Sequence, residues 1–408
     1  MQRHFRTGMK LFMMAVAFFS IWTIGHAADA PVKIGFVADF TAVSRDYSHN
    51  AYKAARMAVS DWNAAGGLLG RTIEMIRRDG GNDPERHARH IEDLVLREKI
   101  VAVFGGASSP CVLKASATCR ELKIPYLVSI GNSQSIVVEN GHPFIFLFEP
   151  NSRMESIGFS IFATLMPWRR YAWIGPDYSW GRDILGFFKQ YFQQIDAPIE
   201  WTAEIWNPLG STEFTESIAR IIDSRPEALV VSVYGEDLRH FLQQAKGSGL
   251  FDKMAAFGWF SIISGQSERT LPEGIWKISR GPCNYLAGRH PQARAFLDAF
   301  TRQHRTYPFD FTVCCYDSLL GWRQAVLKAG SPEPDAVAKA LKGVSFDGLR
   351  GKSFIRAVDG QMNCPTFFGR LVYRPEYPFA VIESVIEIPA AKTWLTEEEV
   401  HAQRARSQ

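Results

Sequence analysis

The feature that most constrains the fold is an alternation of short apolar runs with segments of helical spacing. The runs begin at Val32, Ile73, Ile100 and Ile124, and each is rich in β-branched residues. Such runs predict buried strands, whereas the apolar residues between them recur with the spacing of a helix. Strands that alternate with helices form a parallel sheet covered on both faces, so we predict an α/β fold. A second series of the same kind, from Tyr171 to Gly249, predicts a second lobe.

The strand at Ile100 ends in the turn Phe104-Gly105-Gly106-Ala107-Ser108-Ser109, where a helical pattern begins. The first amide groups of a helix have no partner within it, and the positive end of the helix dipole adds to them. Ser108 and Ser109 therefore predict a site for a carboxylate or another small polar ligand. The alternative is that Ser109 only caps its helix, a very common role for serine. Ligands of parallel sheets bind beyond the carboxyl ends of the strands, so we expect this turn to face a cleft.

The amino-terminal segment, residues 1–27, has the pattern of an export signal. Three basic residues precede a nearly unbroken apolar run from Leu11 to Ile24, and Ala27 ends a small-residue motif. We expect cleavage after Ala27, with an uncleaved anchor as the alternative. Loss of the segment lowers the formal charge from +4 to +1 and leaves no basic footprint for nucleic acid. We therefore expect an exported, periplasmic protein without a nucleic-acid partner.

All six cysteines follow the predicted leader: Cys111, Cys119, Cys283, Cys314, Cys315 and Cys364. An exported compartment permits disulfides. On one continuous helix Cys111 and Cys119 would lie about 12 Å apart, too far to pair unless Cys111 precedes the helix. A bridge from Cys314 or Cys315 to Cys283 or Cys364 is an alternative that the sequence leaves open. No C-x-x-C or His-Glu-x-x-His spacing occurs, so we predict neither a metal site nor a cofactor.

Three blocks of sequence carry a family resemblance. Asp61–Arg71 (DWNAAGGLLGR) is followed by Asn82-Asp83-Pro84 and then by the glycine-serine turn at 104–109. This order resembles type I periplasmic binding proteins, and within them the leucine/isoleucine/valine-binding branch, which also includes amide, urea and aromatic-acid binders. The resemblance extends from about Val32 to about Glu387. It implies two Rossmann-like lobes with parallel central sheets, joined by three crossover hinge segments.

The resemblance also sets the expected lobe boundaries. The expected segments are 32–149 plus 282–345 for the first lobe, 150–281 plus 346–390 for the second lobe, and 391–408 for a polar tail. The chain would then cross between the lobes near Pro150, Gly281 and Ser345. We expect the tail to form only one or two helical turns.

The same resemblance assigns a ligand site between the lobes. In the family, the serine turn and a loop after the next strand hold the ligand carboxylate, and an aromatic residue of the first loop lies beside it. Aromatic residues of the second lobe and of the segment that returns to the first lobe surround the rest of the ligand. The matching residues are Tyr47, Ser108, Ser109, Asn132, Ser133, Trp180, Tyr234, Phe260 (in the turn 258–261) and Phe311. Ordinary core packing is the alternative for each aromatic residue.

One position departs from the amino-acid binders of this family. They carry an acidic residue near the position of Phe260, which pairs with the ligand's ammonium group. Glu236 or Asp237 of the neighbouring loop would have to replace it, because an unpaired buried ammonium group is costly. Without such a replacement, we expect a ligand with a carboxylate or amide and an aromatic or aliphatic body.

These features predict the substrate-binding component of an ABC importer, which presents a small solute to an inner-membrane permease. We expect a monomer whose lobes close by hinge motion when ligand contacts from both favour the closed state. The alternatives are a ligand-sensing module of a regulatory or receptor system and, last, an enzyme. The sequence contains no G-x-S-x-G, P-loop or paired-carboxylate motif, so we expect no catalysis.

Overall fold

The computed structural model describes residues 30–261, 271–377 and 379–407. The predicted leader, residues 1–27, lies outside the described residues. Within the described ranges, no helix combines the length and apolar character that a membrane span requires. The same ranges contain no group of three or more His, Cys, Asp or Glu side chains that could hold a metal ion.

The first sheet comes from the alternation that opens the chain. Its strands are β1 (Val32–Ala38), β2 (Ile73–Asp79), β3 (Val103–Gly106), β4 (Tyr126–Ile130) and β5 (Ile145–Leu147). They lie in the order β2-β1-β3-β4-β5, and all neighbouring strands are parallel. The connecting helices are α1 (Arg45–Ala64), α2 (Pro84–Asp93) and α3 (Ser109–Glu121). Asp83 caps α2 by accepting a hydrogen bond from the Arg86 amide.

The second sheet repeats this architecture after α4 (Ser152–Thr164). Its parallel strands are β6 (Arg170–Pro176), β7 (Glu200–Asn207), β8 (Ala228–Val231), β9 (Ala255–Gly258) and β10 (Trp276–Ser279). The helices between them are α5 (Ser179–Gln194), α6 (Thr215–Asp223), α7 (Gly235–Ser248) and α8 (Leu250–Lys253). In the order β10-β9-β8-β6-β7, β8 is the middle parallel strand and lies between β9 and β6, and the carboxyl ends of these three strands face the first lobe.

The chain then returns to the first lobe. The returning elements are α9 (Cys283–Ala287), α10 (Pro291–His304), α11 (Asp310–Ala329), α12 (Pro334–Leu341), β11 (Ser345–Gly348) and β12 (Gly351–Phe354). We expected a crossing near Ser345, but β11 and β12 form a hairpin whose Phe346 packs in the core of the first lobe. Gln361 then pairs with Leu147 at the edge of the first sheet, so the chain reaches the second sheet only at Thr366. The residues near Ser345 therefore belong to a hairpin of the first lobe and not to a crossing.

The last strands, β13 (Thr366–Tyr373) and β14 (Ala380–Ile388), add an antiparallel edge to the second sheet. We expected a polar tail with one or two helical turns after them, but an 11-residue helix, α13 (Glu397–Ser407), follows. Val400 packs in the core of the first lobe with Val137, and the Arg404 guanidinium donates to the carbonyls of Val137 and Val138 at 2.8 and 2.9 Å. The chain therefore crosses between the lobes a fourth time.

All six cysteines are buried and unpaired. Cys111 and Cys119 both lie within α3, so the helix keeps them too far apart to form a bridge. Cys314 lies against Arg350, whose Nη1 atom is 3.7 Å from its Sγ atom.

Candidate ligand-binding cleft

A cleft lies between the lobes, where the carboxyl ends of β1, β3 and β4 face those of β6, β8 and β9. It contains about 580 Å³ of empty space, part of it open to solvent. The first lobe contributes Ser44, Tyr47, Ala107, Ser108, Ser109, Ile130, Gly131, Asn132, Asp310 and Phe311. The second lobe and the crossing after β10 contribute Tyr178, Trp180, Tyr234, Trp259, Ser261, Ile278 and Arg280. One wall is therefore mainly small and polar, and the other is mainly aromatic.

Two glycines let the serine turn lie close to the neighbouring strands. β3 ends at Gly105 and Gly106, whose φ angles are +113° and +117°. A Cβ atom at Gly106 would lie 2.1 Å from the carbonyl oxygen of Ile130, and one at Gly105 would lie 2.4 Å from that of Val37. A side chain at either position would force β3 away from a neighbouring strand. The glycine pair thus sets where α3 begins.

The two serines of the turn have different partners. Ser108 precedes α3 but makes no side-chain capping hydrogen bond, and its hydroxyl donates to Oδ1 of Asn82 at 2.6 Å. Ser109 is the first residue of α3, and its Oγ atom accepts a hydrogen bond from the Ser133 amide at 3.2 Å. Its own hydroxyl hydrogen has no acceptor among the described residues. Capping therefore does not account for Ser109.

The side chains of Asn132 and Ser133, both predicted to bind the ligand, point in different directions. Asn132 lines the cleft, and its Nδ2 atom donates to the carbonyl of Pro150 and to Oε2 of Glu155. Ser133 does not line the cleft; its hydroxyl donates instead to Asp183 of α5 at 2.6 Å. Burial raises the pKa of this Asp183 carboxyl group, and the hydrogen bond from Ser133 opposes the rise. Ser133 thus bridges the two lobes beside the cleft.

The aromatic wall is a set of mutually packed rings. Trp180 lies edge-on to Tyr234 and to Trp259, with ring centroids 5.6 and 5.2 Å apart. The hydroxyls of Tyr178 and Tyr234 are 3.1 Å apart, so one donates to the other. Burial raises the pKa of both hydroxyls, which keeps them protonated at neutral pH. The buried Nε1 atom of Trp180 has no hydrogen-bond partner among the described residues.

Phe260 does not line this cleft. It packs in the core of the second lobe near Phe251, because its neighbours Trp259 and Ser261 take the positions that face the cleft. Successive side chains of an extended segment point in opposite directions. The turn 258–261 therefore lies at the cleft as predicted, but the side chain of Phe260 points away from it.

The two acidic residues considered as a replacement also point elsewhere. Glu236 pairs with Arg45 at 2.8 Å and with Arg239 at 3.1 Å. Asp237 accepts a hydrogen bond from the Gly210 amide at 2.8 Å. Neither lines the cleft, so neither can neutralise an ammonium group there.

The floor of the cleft holds a buried group of charges that the sequence did not reveal. The Arg280 guanidinium forms a two-point contact with Glu155, at 2.6 and 3.0 Å, and lies 2.9 Å from Oε2 of Glu149. Its Cζ atom is 4.8 Å from the ring centroid of Phe311, another residue of the cleft. Burial raises the pKa of Glu149 to about 8, while Arg280 opposes the rise and Glu155 adds to it. No motif marks Arg280, because only the crossing after β10 brings it to the cleft.

A second charged residue, Asp310, also lines the cleft. It is the first residue of α11, between Phe309 and the predicted site residue Phe311. Its Oδ1 atom accepts a hydrogen bond from the Ser279 hydroxyl at 2.6 Å, and its Oδ2 atom lies 3.9 Å from Nζ of Lys277. A carboxylate between two aromatic residues at a helix start is the only sequence signal that could have indicated it.

Tyr47 joins the two lobes. Its hydroxyl donates to the Ser261 carbonyl at 2.5 Å and accepts a hydrogen bond from the Gly235 amide at 2.9 Å. Its ring packs against Phe309 and Phe311, with centroids 5.5 and 4.9 Å away. Tyr47 is thus both a wall of the cleft and a contact that holds the lobes together.

Three comparisons place these observations among known proteins. The model of the family described as "Periplasmic binding protein" matches residues 31–374. The chain is 23% identical to the leucine-, isoleucine-, valine-, threonine- and alanine-binding protein of Pseudomonas aeruginosa. The matched region covers 83% of this chain and 88% of that protein. It is 29% identical to a P. aeruginosa amino acid binding protein over 135 residues, which are 32% of this chain and 36% of that protein.

A solved structure shares the fold. It is an ABC-transporter solute-binding protein of Rhodopseudomonas palustris BisB5 in complex with 3,4-dihydroxybenzoic acid. The TM-score is 0.79 at 19% identity, with 88% of this chain and 98% of the other covered.

Proposed function

The chain belongs to the periplasmic binding protein family, and on that premise we propose that it is the solute-binding component of an ABC importer. It binds one small solute with a carboxylate or amide head between two closing lobes, and passes it to an inner-membrane permease. It acts as a monomer and binds without catalysis. The residues that bind the solute are those of the predicted set that line the cleft: Tyr47, Ser108, Ser109, Asn132, Trp180, Tyr234 and Phe311.

The observation that carries the proposal is the pairing of two unlike walls. On the first lobe, the free hydroxyl hydrogen of Ser109 and the Ser109 amide, at the start of α3, are donors for the oxygens of the head group, whereas Pro110 has no amide hydrogen to offer. On the second lobe, Trp180, Tyr234 and Trp259 present ring faces and edges for an apolar body. A solute that contacts both walls stabilises the closed arrangement over the open one.

Two kinds of body fit this aromatic wall. The P. aeruginosa relative is named for small aliphatic amino acids, and the R. palustris structure holds a dihydroxybenzoic acid. Both types of ligand combine a carboxylate with a compact body, which matches the division of the cleft into a polar and an aromatic wall. We extend to this chain the shared part, a carboxylate or amide beside a small aliphatic or aromatic group.

The expected location follows from the family and from the amino-terminal pattern. A periplasmic binding protein must cross the inner membrane, and residues 1–27 have the composition of a cleavable signal peptide. We propose cleavage after Ala27. Mass spectrometry of protein purified from the periplasm tests this directly, since a mature chain that begins elsewhere or retains the leader would contradict it.

Ligand screening tests the proposed function. Leucine, benzoate-type acids, amides and urea are tested for a rise in melting temperature, because a ligand that binds the native state stabilises it. The double variant Ser109→Ala/Tyr234→Ala should lose the shift that the best ligand gives. Ser116→Ala is the matched control, because Ser116 lies on the same helix, bonded to His142 and outside the cleft. An unchanged affinity in the double variant would show that the cleft is not the binding site.

A further inference from the structure

Asn132 offers the cleft only a hydrogen-bond acceptor. Its Nδ2 atom lies 2.6 Å from the Pro150 carbonyl oxygen and 2.8 Å from Oε2 of Glu155. Two acceptors at these distances fix which end of the amide carries the nitrogen, and they use both of its hydrogens. The atom left for the cleft is Oδ1, which has no donor among the described residues.

Ser108 is restricted in the same way. Its hydroxyl oxygen is 2.6 Å from Oδ1 of Asn82, a separation typical of O–H···O and short for N–H···O hydrogen bonds. The single hydroxyl hydrogen is therefore used outside the cleft. Toward a ligand, Oγ of Ser108 can only accept.

Asp310 adds a carboxylate to this accepting side. It is 6% exposed, and its Oδ2 atom forms an ion pair with the Lys277 ammonium group at 3.9 Å, a separation longer than a hydrogen bond. Arg280 is the other charged side chain among the described residues that line the cleft, and its guanidinium is held by Glu155. The Oδ2 atom of Asp310 therefore has an ion-pair partner but accepts no hydrogen bond from the described residues.

The donors of the polar wall are concentrated at Ser109 and the start of α3, where they suit a ligand carboxylate. The hydrogen-bond acceptors are concentrated at Asn132, Ser108 and Asp310. We propose that Asp310, assisted by Asn132 and Ser108, accepts hydrogen bonds from an ammonium group beside that carboxylate, and so determines specificity for a zwitterionic amino acid. This inference rests on the proposed function and narrows it. Pairing with the ligand's ammonium group, which Phe260 cannot do, is then performed by Asp310 of α11.

The physical reason for discrimination is the cost of mismatched burial. A ligand without the ammonium group leaves the acceptors of Asp310, Asn132 and Ser108 without hydrogens once water is excluded, and an unmade buried hydrogen bond costs about 1–3 kcal/mol. It also brings a carboxylate toward the Asp310 carboxylate without the intervening positive charge. The zwitterion avoids both costs, because its ammonium group supplies three hydrogens and the opposite charge.

Two ligand pairs test the inference by isothermal titration calorimetry of the mature protein. They are phenylalanine with 3-phenylpropanoate and leucine with 4-methylpentanoate, which differ within each pair only by the amino group. The wild type should bind the amino acid of at least one pair ten times more tightly or better. Asp310→Asn should reduce that ratio at least tenfold, without weakening the binding of the plain acid. Asp347→Asn is the control, because Asp347 is 66% exposed on the β11–β12 hairpin.

Each outcome bears on the inference. Tighter or equal binding of the plain acids by the wild type would overturn it and leave the proposed function intact. A ratio that stays the same in Asp310→Asn and in a second variant, Asp310→Ser, would also overturn it. Failure of all four compounds to bind would count against the inference, and against the proposed function if the amides, urea and benzoate-type acids of the screen also failed. Because the wild-type comparison needs no substitution, the inference stays testable even if both variants fold poorly.

Discussion

Replacing Tyr47 with phenylalanine removes a single hydroxyl from the boundary between the lobes. That hydroxyl bonds the Ser261 carbonyl at 2.5 Å and the Gly235 amide at 2.9 Å, and both partners belong to the second lobe. The ring of Tyr47 stays packed against Phe309, because phenylalanine keeps every ring atom. The effect of the exchange therefore falls on lobe closure.

The size of the effect follows from the two lost hydrogen bonds. Each contributes about 0.5–1.5 kcal/mol net, so the closed state loses about 2 kcal/mol relative to the open state. The open state loses little, because water bonds these groups when the lobes separate. A loss of about 2 kcal/mol corresponds to a roughly 30-fold weaker ligand affinity, since each 1.4 kcal/mol is a factor of ten.

Calorimetry with the best ligand of the thermal screen measures this change, and small-angle scattering measures the closed fraction. Tyr52→Phe is the matched control, because Tyr52 lies on the same helix and its hydroxyl has no hydrogen-bond partner among the described residues. The reasoning is refuted if Tyr47→Phe binds within twofold of the wild type, or if Tyr52→Phe loses as much affinity.

Three further changes probe other parts of the molecule. Glu149→Gln should flatten the pH dependence of stability: burial raises the pKa of Glu149 from 4.5 to about 8, so the native state takes up a proton and stability falls as pH rises through that window. Melting temperatures from pH 5 to 8 measure this, and an unchanged slope would be evidence against it. Arg404→Ala removes three hydrogen bonds to backbone carbonyls and should lower the unfolding free energy by about 2 kcal/mol in urea titrations; an unaltered midpoint would mean that α13 is held by other contacts. Gly106→Ala should cost more than about 2 kcal/mol in the same assay, since its Cβ would meet Ile130, whereas Gly186→Ala has open space around it and should be neutral or stabilising.

The sequence predicts the sheets well because their strands are short, apolar and separated by clear helical patterns. The third crossing, which the family resemblance placed near Ser345, lies further along the chain because β11 and β12 form a hairpin that stays with the first lobe. The sequence underestimates α13 because most residues of that helix are polar, and its docking depends on hydrogen bonds from Arg404 to backbone carbonyls. Because the partners of Arg404 are main-chain carbonyls, no acidic side chain elsewhere in the sequence indicates where the helix docks.

Some positions of the candidate site residues can be predicted from the sequence, and others cannot. Ser109 and Trp180 lie in the cleft because both follow strands whose carboxyl ends face it, and that rule can be applied to a sequence. Phe260 is displaced by one residue, since the direction of a side chain at a strand end depends on the exact register. Arg280 and Asp310 reach the cleft through the crossing and the returning helix, so only the three-dimensional structure brings them together.

A crystal structure of the mature protein with the best ligand of the screen tests the central claim most directly. It should show the solute between the lobes, with an oxygen of its head group within hydrogen-bond distance of Ser109 Oγ and its body against Trp180 and Tyr234. A solute that contacts only one lobe, or that lies outside the cleft, would contradict the account.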